Sequence, residues 1–434
     1  MVVAPVAAMV RLWGQEVGAV AWDAERNLGA FEFTPDFPTS GYDLAPLQMP
    51  LDQARGQVFE FPALNRDTFR GLPGLLADAL PDKFGNAIID AWLARNGRDA
   101  AGFSPVERLC YTGARGMGAL EFEPAVSPAL DRAVPVEVSE LVALVQEIIA
   151  HRGRLDARWD KDEQVKSGAM LDILRVGTSA GGARPKAVIA MNAEGRILSG
   201  QTTAPAGYDY WILKFDGVAD LELGAPKGYG RIEYAYYLMA KAAGIAMHES
   251  RLLEEGGRAH FLTRRFDREN GEKLHLQSLC GIAHYDFNAT GAYGYEQAFE
   301  VMRRLRLTKA EAAQQYRRML FNVVARNQDD HTKNIAFLMG RDGRWRLAPA
   351  FDVIYANNPH GVWTNRHQMT INGKRDGFTR EDLLAVGRSI GLARPAEVLD
   401  EIVETVSRWP GFAREAGVPK TRAQEIGAQH RLKM

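Results

Sequence analysis

Eight polar residues in a row, Asn327-Gln328-Asp329-Asp330-His331-Thr332-Lys333-Asn334, are wedged between two apolar runs, Met319-Leu320-Phe321-Asn322-Val323-Val324 and Ile335-Ala336-Phe337-Leu338. Both apolar runs must be buried, so the polar stretch is a short loop gripped at its two ends. Asp329 and Asn334 are five apart, the spacing at which phosphoryl-transfer loops carry a proton-accepting Asp and a magnesium-binding Asn. Asp330 fails the same test, because its fifth neighbour is Ile335. Lys333 stands close enough to neutralise phosphate charge. Taken alone, the pattern also fits a solvated turn. A metal site of Asp329, Asp330 and His331 is disfavoured, since adjacent residues in an extended turn point different ways.

Phosphoryl transfer asks a protein for positioning and for charge around phosphates. Candidates for the other parts occur along the chain. Ser179-Ala180-Gly181-Gly182-Ala183-Arg184-Pro185-Lys186 is a glycine-rich turn leading into the apolar strand Ala187-Val188-Ile189-Ala190-Met191. Gly181 and Gly182 lack Cβ and let backbone N–H groups approach a phosphate. A Walker A loop would open a helix instead, and an ordinary hairpin turn has the same composition. Lys214 interrupts the apolar strand Trp211-Ile212-Leu213-Lys214-Phe215, facing either solvent or a cleft. Glu233 follows on an expected helix, 233–243, that stops at Gly244, and it can reach that lysine. Asp352 is a lone acid in Ala350-Phe351-Asp352-Val353-Ile354; a buried carboxylate needs a cation partner or a capping role. Each piece alone fits a bland reading. Their order matches the subdomain order of protein kinases: glycine turn, lysine strand, acid on a helix, hairpin, long helix, D-x4-N loop, Asp.

The rest of the chain supplies the frame. Val17–Trp22 and Leu28–Phe33 read as strands joined by a polar turn. Helices are expected from Pro73 to Leu80, from Pro81 to Leu93 and over 137–151. Gly113–Gly118 is a glycine-rich turn before the strand 119–122, and three prolines in 124–135 mark a boundary. Strands at 249–254 and 259–265 flank Glu255-Gly256-Gly257-Arg258, a hairpin turn. Thr308-Lys309-Ala310-Glu311 has the capping-box pattern and opens a helix to about Arg326. From about 290 onward the chain reads as mostly helical.

Composition excludes several classes. Hydrophobic residues make up 46% and charged residues 25% of 434, a globular balance. The net charge of -1 argues against strong non-specific binding to nucleic acid. Two cysteines, Cys110 and Cys280, make neither a disulfide framework nor a zinc motif. No apolar run spans a membrane, and the first residues lack a secretory pattern, so the cytoplasm is expected.

Four segments together resemble the HipA family of bacterial toxin kinases: Gly181-Gly182-Ala183-Arg184-Pro185-Lys186, Thr263-Arg264-Arg265-Phe266-Asp267-Arg268, Asp329-Asp330-His331-Thr332-Lys333-Asn334 and Met369-Thr370-Ile371-Asn372-Gly373-Lys374. Leu80-Pro81-Asp82 and Gly113–Phe122 are similar to the family's N-terminal region. The resemblance implies an α+β, two-lobed protein-kinase-like fold: an N-terminal α/β subdomain (1–125), a strand-rich nucleotide-binding lobe (137–268) and a helical C-terminal lobe (269–434). It implies ATP as phosphoryl donor with Mg2+, Asp329 as base, Asn334 and Asp352 as magnesium ligands, and Lys214 and Lys186 at the phosphates. It places Arg265-Phe266 at adenine and Asp267 at the ribose. Ser179, or Thr178 beside it, matches the loop residue that the family autophosphorylates, and a phosphate there would repel those of ATP. The implied partners are a protein substrate such as an aminoacyl-tRNA synthetase and a HipB-like helix-turn-helix antitoxin, with DNA met only through that antitoxin. Two other readings stand beside the serine/threonine kinase: a small-molecule kinase on the same scaffold, and a catalytically poor co-repressor module.

Overall fold

The computed structural model describes residues 7–95, 97, 102–125, 133–151, 185–200, 203–218 and 228–434. The chain forms two compact units: Met1–Leu44, Met49–Gly228 and Arg251–Leu276 in the first, Ala45–Gln48, Tyr229–Ser250 and Gln277–Met434 in the second. Among the described residues no helix is long and apolar enough to cross a membrane.

Among the described residues the first unit contains two five-stranded sheets. One runs, in spatial order, Val58–Phe59, Leu28–Phe33, Gln15–Asp23, Ala7–Leu12, Leu120–Glu123. Ala8, Val10 and Leu12 alternate inward along the Ala7–Leu12 strand, the period-2 signature of a half-buried strand. That strand pairs antiparallel with both Gln15–Asp23 and Leu120–Glu123. The helix Pro105–Thr112 starts at a capping box in which Ser104 and Glu107 satisfy each other's backbone N–H groups.

The second sheet runs Ile197–Ser199, Lys186–Asn192, Tyr208–Lys214, Arg258–Arg264, Ser250–Glu255. Its strand Ala187–Met191 is buried throughout, which is why its apolar residues are consecutive and do not alternate. The sheet and the helices Lys83–Arg95 and Val138–His151 share a core that includes Ile88, Leu93, Leu141, Val145, Ile189 and Leu213. The tip of the hairpin 250–264 uses Gly256 and Gly257, both at positive φ (56° and 76°), as a tight turn between right-twisted strands requires.

The second unit is mostly helical. Tyr229–Ala242, Tyr295–Arg304, Lys309–Val324, Arg380–Ser389, Pro395–Ser407, Trp409–Glu415 and Lys420–Gly427 contribute to one core in which Tyr236, Tyr316, Met319, Leu320 and Phe321 are fully buried. A hairpin, Ala336–Met339 with Trp345–Leu347, leaves the loop at 327–334 and leads to Asp352. Two expectations shift in extent. The helix Tyr229–Ala242 starts a turn earlier than Glu233, and the segment after Pro73 is helical only over Gly74–Ala77.

Candidate phosphotransfer site

The helix Lys309–Val324 sets the position of the loop at 327–334. Thr308 and Glu311 close the capping box at its start, with Glu311 Oε2 accepting from the Thr308 backbone N–H at 2.7 Å. Its far end is anchored by Met319, Leu320, Phe321, Val323 and Val324, all without exposed surface. Arg326 then adopts a left-handed φ of 58°, which ends the helix and reverses the chain. Asn327 Nδ2 donates to Asn322 Oδ1 at 2.9 Å, and the Gln328 N–H donates to the Ala356 carbonyl at 3.0 Å. The loop is thereby pinned to the helix behind it and to the segment after Asp352.

The two adjacent aspartates meet opposite environments. Asp330 has a side chain 1% exposed. Its carboxylate accepts from Tyr295 Oη at 2.9 Å, from the Gln368 backbone N–H at 2.7 Å and from His367 Nδ1 at 2.8 Å. An ionised carboxylate only accepts, so Nδ1 carries the proton. Burial pushes the Asp330 carboxyl up, but the His367 ring and the Gln368 and Tyr295 donors outweigh it and hold it below the usual carboxylate range. Asp329, by contrast, has a side chain 39% exposed. Its Oδ1 accepts from Trp363 Nε1 at 2.7 Å and lies 3.8 Å from His331 Nε2.

Asn334 follows on the single turn Thr332–Asn334. Its Nδ2 donates to the Asp329 backbone carbonyl at 2.7 Å. That bond fixes the amide's orientation and turns Oδ1 to the other side. Lys333 Nζ sits 4.9 Å from the Phe287 ring centroid, a cation–π contact. Asp352 has a φ of 53°, a left-handed conformation that costs energy in any residue with a Cβ and gathers at functional sites. Asn334 and Asp352 line the same cavity of about 30 Å³, together with Asp330, Asn322, Asn327, Gln315 and Arg318. Burial pushes the Arg318 guanidinium down to about 9, still protonated at neutral pH, and it donates to the Ala348 carbonyl at 2.8 Å.

Beside the Arg318 guanidinium, the cavity offers oxygens from Asn334 and Asp352, the ligand type that suits magnesium. Among the described residues no three His, Cys, Asp or Glu side chains converge on a metal position. An amide and one carboxylate, completed by water and phosphate oxygens, is the donor set magnesium ordinarily takes beside a nucleotide. The residues present therefore fit the ion.

In the first unit, Lys186 and Lys214 are directly opposed partners on neighbouring antiparallel strands. Directly opposed like charges disfavour a sheet unless anions compensate them. Lys186, with a side chain 4% exposed, has Asp82 Oδ2 at 3.9 Å, and Lys214 Nζ lies 5.7 Å from the Phe261 ring centroid. Glu233 is buried, and it belongs to the second unit.

The segment Arg265–Asp267 departs from expectation. Asp267 has no exposed surface, and its carboxylate accepts from Arg265 Nε at 2.9 Å, Arg265 Nη2 at 2.7 Å, Arg268 Nη1 at 2.8 Å and the Gly118 N–H at 2.7 Å. Burial pushes this carboxyl up, yet the two guanidiniums hold it far below the usual range. Both oxygens are engaged and covered, which leaves neither for the ribose expected at Asp267. The Arg265 side chain is buried in the same pairing, and Phe266 is half-buried. Ser179, Thr178, Gly181 and Gly182 lie outside the described residues.

Sequence reasoning missed Trp363, His367, Gln368 and Tyr295. They reach the aspartates from about 35 residues away along the chain and carry no local motif.

The described elements make a mixed α/β chain of two compact units, one unit bearing paired lysines and the other the D-x4-N loop. The HipA N-terminal domain model matches residues 8–123, and the HipA-like C-terminal domain model matches residues 178–426. The chain belongs to the HipA family. Its fold is similar to that of Shewanella oneidensis MR-1 HipA, solved as a complex with HipB and operator DNA, with a TM-score of 0.61, 19% identity and coverage of 97% of this chain and 94% of that one. A second match, the Helicobacter pylori proinflammatory kinase CtkA, has a TM-score of 0.35, 14% identity and coverage of 58% and 90%. No curated protein matches the chain in sequence.

Proposed function

We propose that this protein is an ATP- and Mg2+-dependent serine/threonine protein kinase. The observation that carries the reading is the Asp329–Asn334 loop. One of its carboxylates is buried as an anchor, its neighbour is accessible, and the Asn amide is tied to that neighbour's backbone while sharing a cavity with Asp352.

Asp329 accepts the acceptor hydroxyl's proton. The acceptor oxygen bonds to the γ-phosphorus as the bond to the β–γ bridging oxygen breaks, and ADP leaves with that electron pair. Asn334 Oδ1 and the Asp352 carboxylate hold magnesium, which neutralises phosphate charge when bound. Lys214 and Lys186 supply the positive charge of the strand-rich sheet, and Gly181 and Gly182 the backbone approach to phosphate. Lys333 adds charge beside the base, and Phe266 offers its ring to adenine. Ser179 is the autophosphorylation site. A cytoplasmic protein, such as an aminoacyl-tRNA synthetase, is the acceptor. A HipB-like antitoxin is the partner, as in the Shewanella complex; the net charge of -1 fits DNA contact made through that partner.

Incubation with γ-labelled ATP and magnesium tests the reading. The wild-type chain acquires label, and mass spectrometry places it on Ser179. Asp329→Ala binds ATP with wild-type affinity and acquires none, because the base acts on the acceptor and not on the nucleotide. Transfer at the wild-type rate by Asp329→Ala would remove Asp329 from its role.

A further inference from the structure

The chain beyond Asp352 returns over the two aspartates in a way that no motif announces. Trp363 Nε1 donates to Asp329 Oδ1 at 2.7 Å. Four residues on, His367 Nδ1 and the Gln368 N–H bind Asp330 at 2.8 and 2.7 Å. Gln368 Nε2 in turn donates to the Trp363 carbonyl, which ties the two contacts into one brace. The Trp363 ring also stands edge-on to His331, with centroids 6.3 Å apart. One short segment thus grips consecutive carboxylates, the buried one through a ring and a backbone N–H, the exposed one through an indole.

We infer that Trp363 is a positioning residue for phosphoryl transfer: its indole N–H fixes the rotamer of the Asp329 carboxylate, so that one oxygen is held and the other is presented to the acceptor hydroxyl. The inference rests on the kinase reading for its kinetics and on geometry alone for the contact. An exposed carboxylate without such a donor samples several rotamers, and a base displaced by about 1 Å from its productive geometry loses roughly a hundredfold in rate. A donor aimed at the oxygen that does not take the proton orients the group and leaves the other oxygen available. Trp363 touches neither nucleotide nor acceptor in this role, so its loss slows transfer without changing ATP affinity.

Trp363→Phe keeps the ring and removes the N–H. In the full chain, with Mg-ATP and label transferred to the chain itself, the rate at saturating ATP falls about ten- to a hundredfold. The half-saturating ATP concentration stays within about twofold, since binding and positioning separate in this way. A wild-type rate overturns the inference. So does a faster rate, which would make the indole a cap on the base. A second measurement is independent of activity. In the 15N-tryptophan-labelled chain, the indole signal that Trp363→Phe removes shifts in Asp329→Asn, whose side chain has the same shape; an unmoved signal overturns the contact. If the wild-type chain binds ATP and transfers no label, the kinase reading fails together with the kinetic role, whatever the indole signal does.

Discussion

Asp329 and Asp330 share a peptide bond and a chemistry, and their surroundings give them separate work. Asp330 is an anchor: three donors, the Tyr295 hydroxyl, the His367 ring N–H and the Gln368 backbone N–H, meet a carboxylate that is almost wholly covered. Weakening a buried acceptor leaves its donors unsatisfied, which costs more than the hydrogen bonds contribute, and more again when the acceptor is charged. Asp330→Asn therefore destabilises the chain by about 3 kcal/mol at neutral pH, read as a lower denaturant midpoint. Its folded carboxyl lies below the ordinary value, so the stabilisation is full above an unfolded value near 3.9. It is lost as pH falls through the folded value, where native Asp330 takes up a proton. The gap between wild type and variant narrows below about pH 4, as denaturation series at pH 7 and pH 3.5 would show. A gap that widened on acidification would contradict the assignment. The spacing to Asn334 distinguishes the two aspartates in the sequence, because a five-residue interval is local information. The anchor's partners are not legible there, because Tyr295, His367 and Gln368 are brought to it only by the packing of the helical core.

Elements whose ends are set by short-range chemistry are legible in the sequence, and the helix Lys309–Val324 shows why. Its start is written in four residues: Thr308 Oγ1 accepts from the Glu311 N–H and Glu311 reaches back to the Thr308 N–H. The same Glu311 extends a second oxygen to the Leu347 N–H at 2.8 Å, so the cap also holds the hairpin that leads to Asp352. Thr308→Ala removes one partner of the box and leaves that tether, and it costs about 1 kcal/mol in urea unfolding with no change in nucleotide affinity. The hairpin turn at Gly256-Gly257 and the helix stop at Gly244 are legible for the same reason: all three sit in the left-handed region, which favours glycine. The strand Ala7–Leu12 is not. It is an interior strand of its sheet only because Leu120–Glu123 returns to pair with it from more than a hundred residues away, and no local pattern encodes that return.

At the scale of the whole chain, the segments matched by the two family models are interlocked within the first compact unit. Gly116 and Gly118, in the N-terminal segment, bond the Arg265-Asp267-Arg268 cluster of the C-terminal one. Lys273 adds a second tie, to the Ala114 carbonyl at 2.7 Å and to Glu121 at 2.7 Å, while Trp13 Nε1 donates to the Lys273 carbonyl at 2.7 Å. The resemblance places Asp267 at a ribose, whereas the structure makes it the hub of this interlock, and one variant separates the two roles. Were Asp267 to hold a ribose, Asp267→Ala would weaken ATP binding in a chain of unchanged stability. As a hub, its removal leaves Arg265 and Arg268 buried without their counter-charge and destabilises the unit by about 3–5 kcal/mol. The expected outcome is the second: a thermal midpoint several degrees lower, with ATP affinity, measured by calorimetry below that midpoint, close to wild type. Replacing the whole cluster with apolar residues of similar volume would recover much of the stability, because the cost lies in the unpaired guanidiniums and not in the missing pair itself. An unchanged midpoint with weakened ATP binding would return Asp267 to the nucleotide.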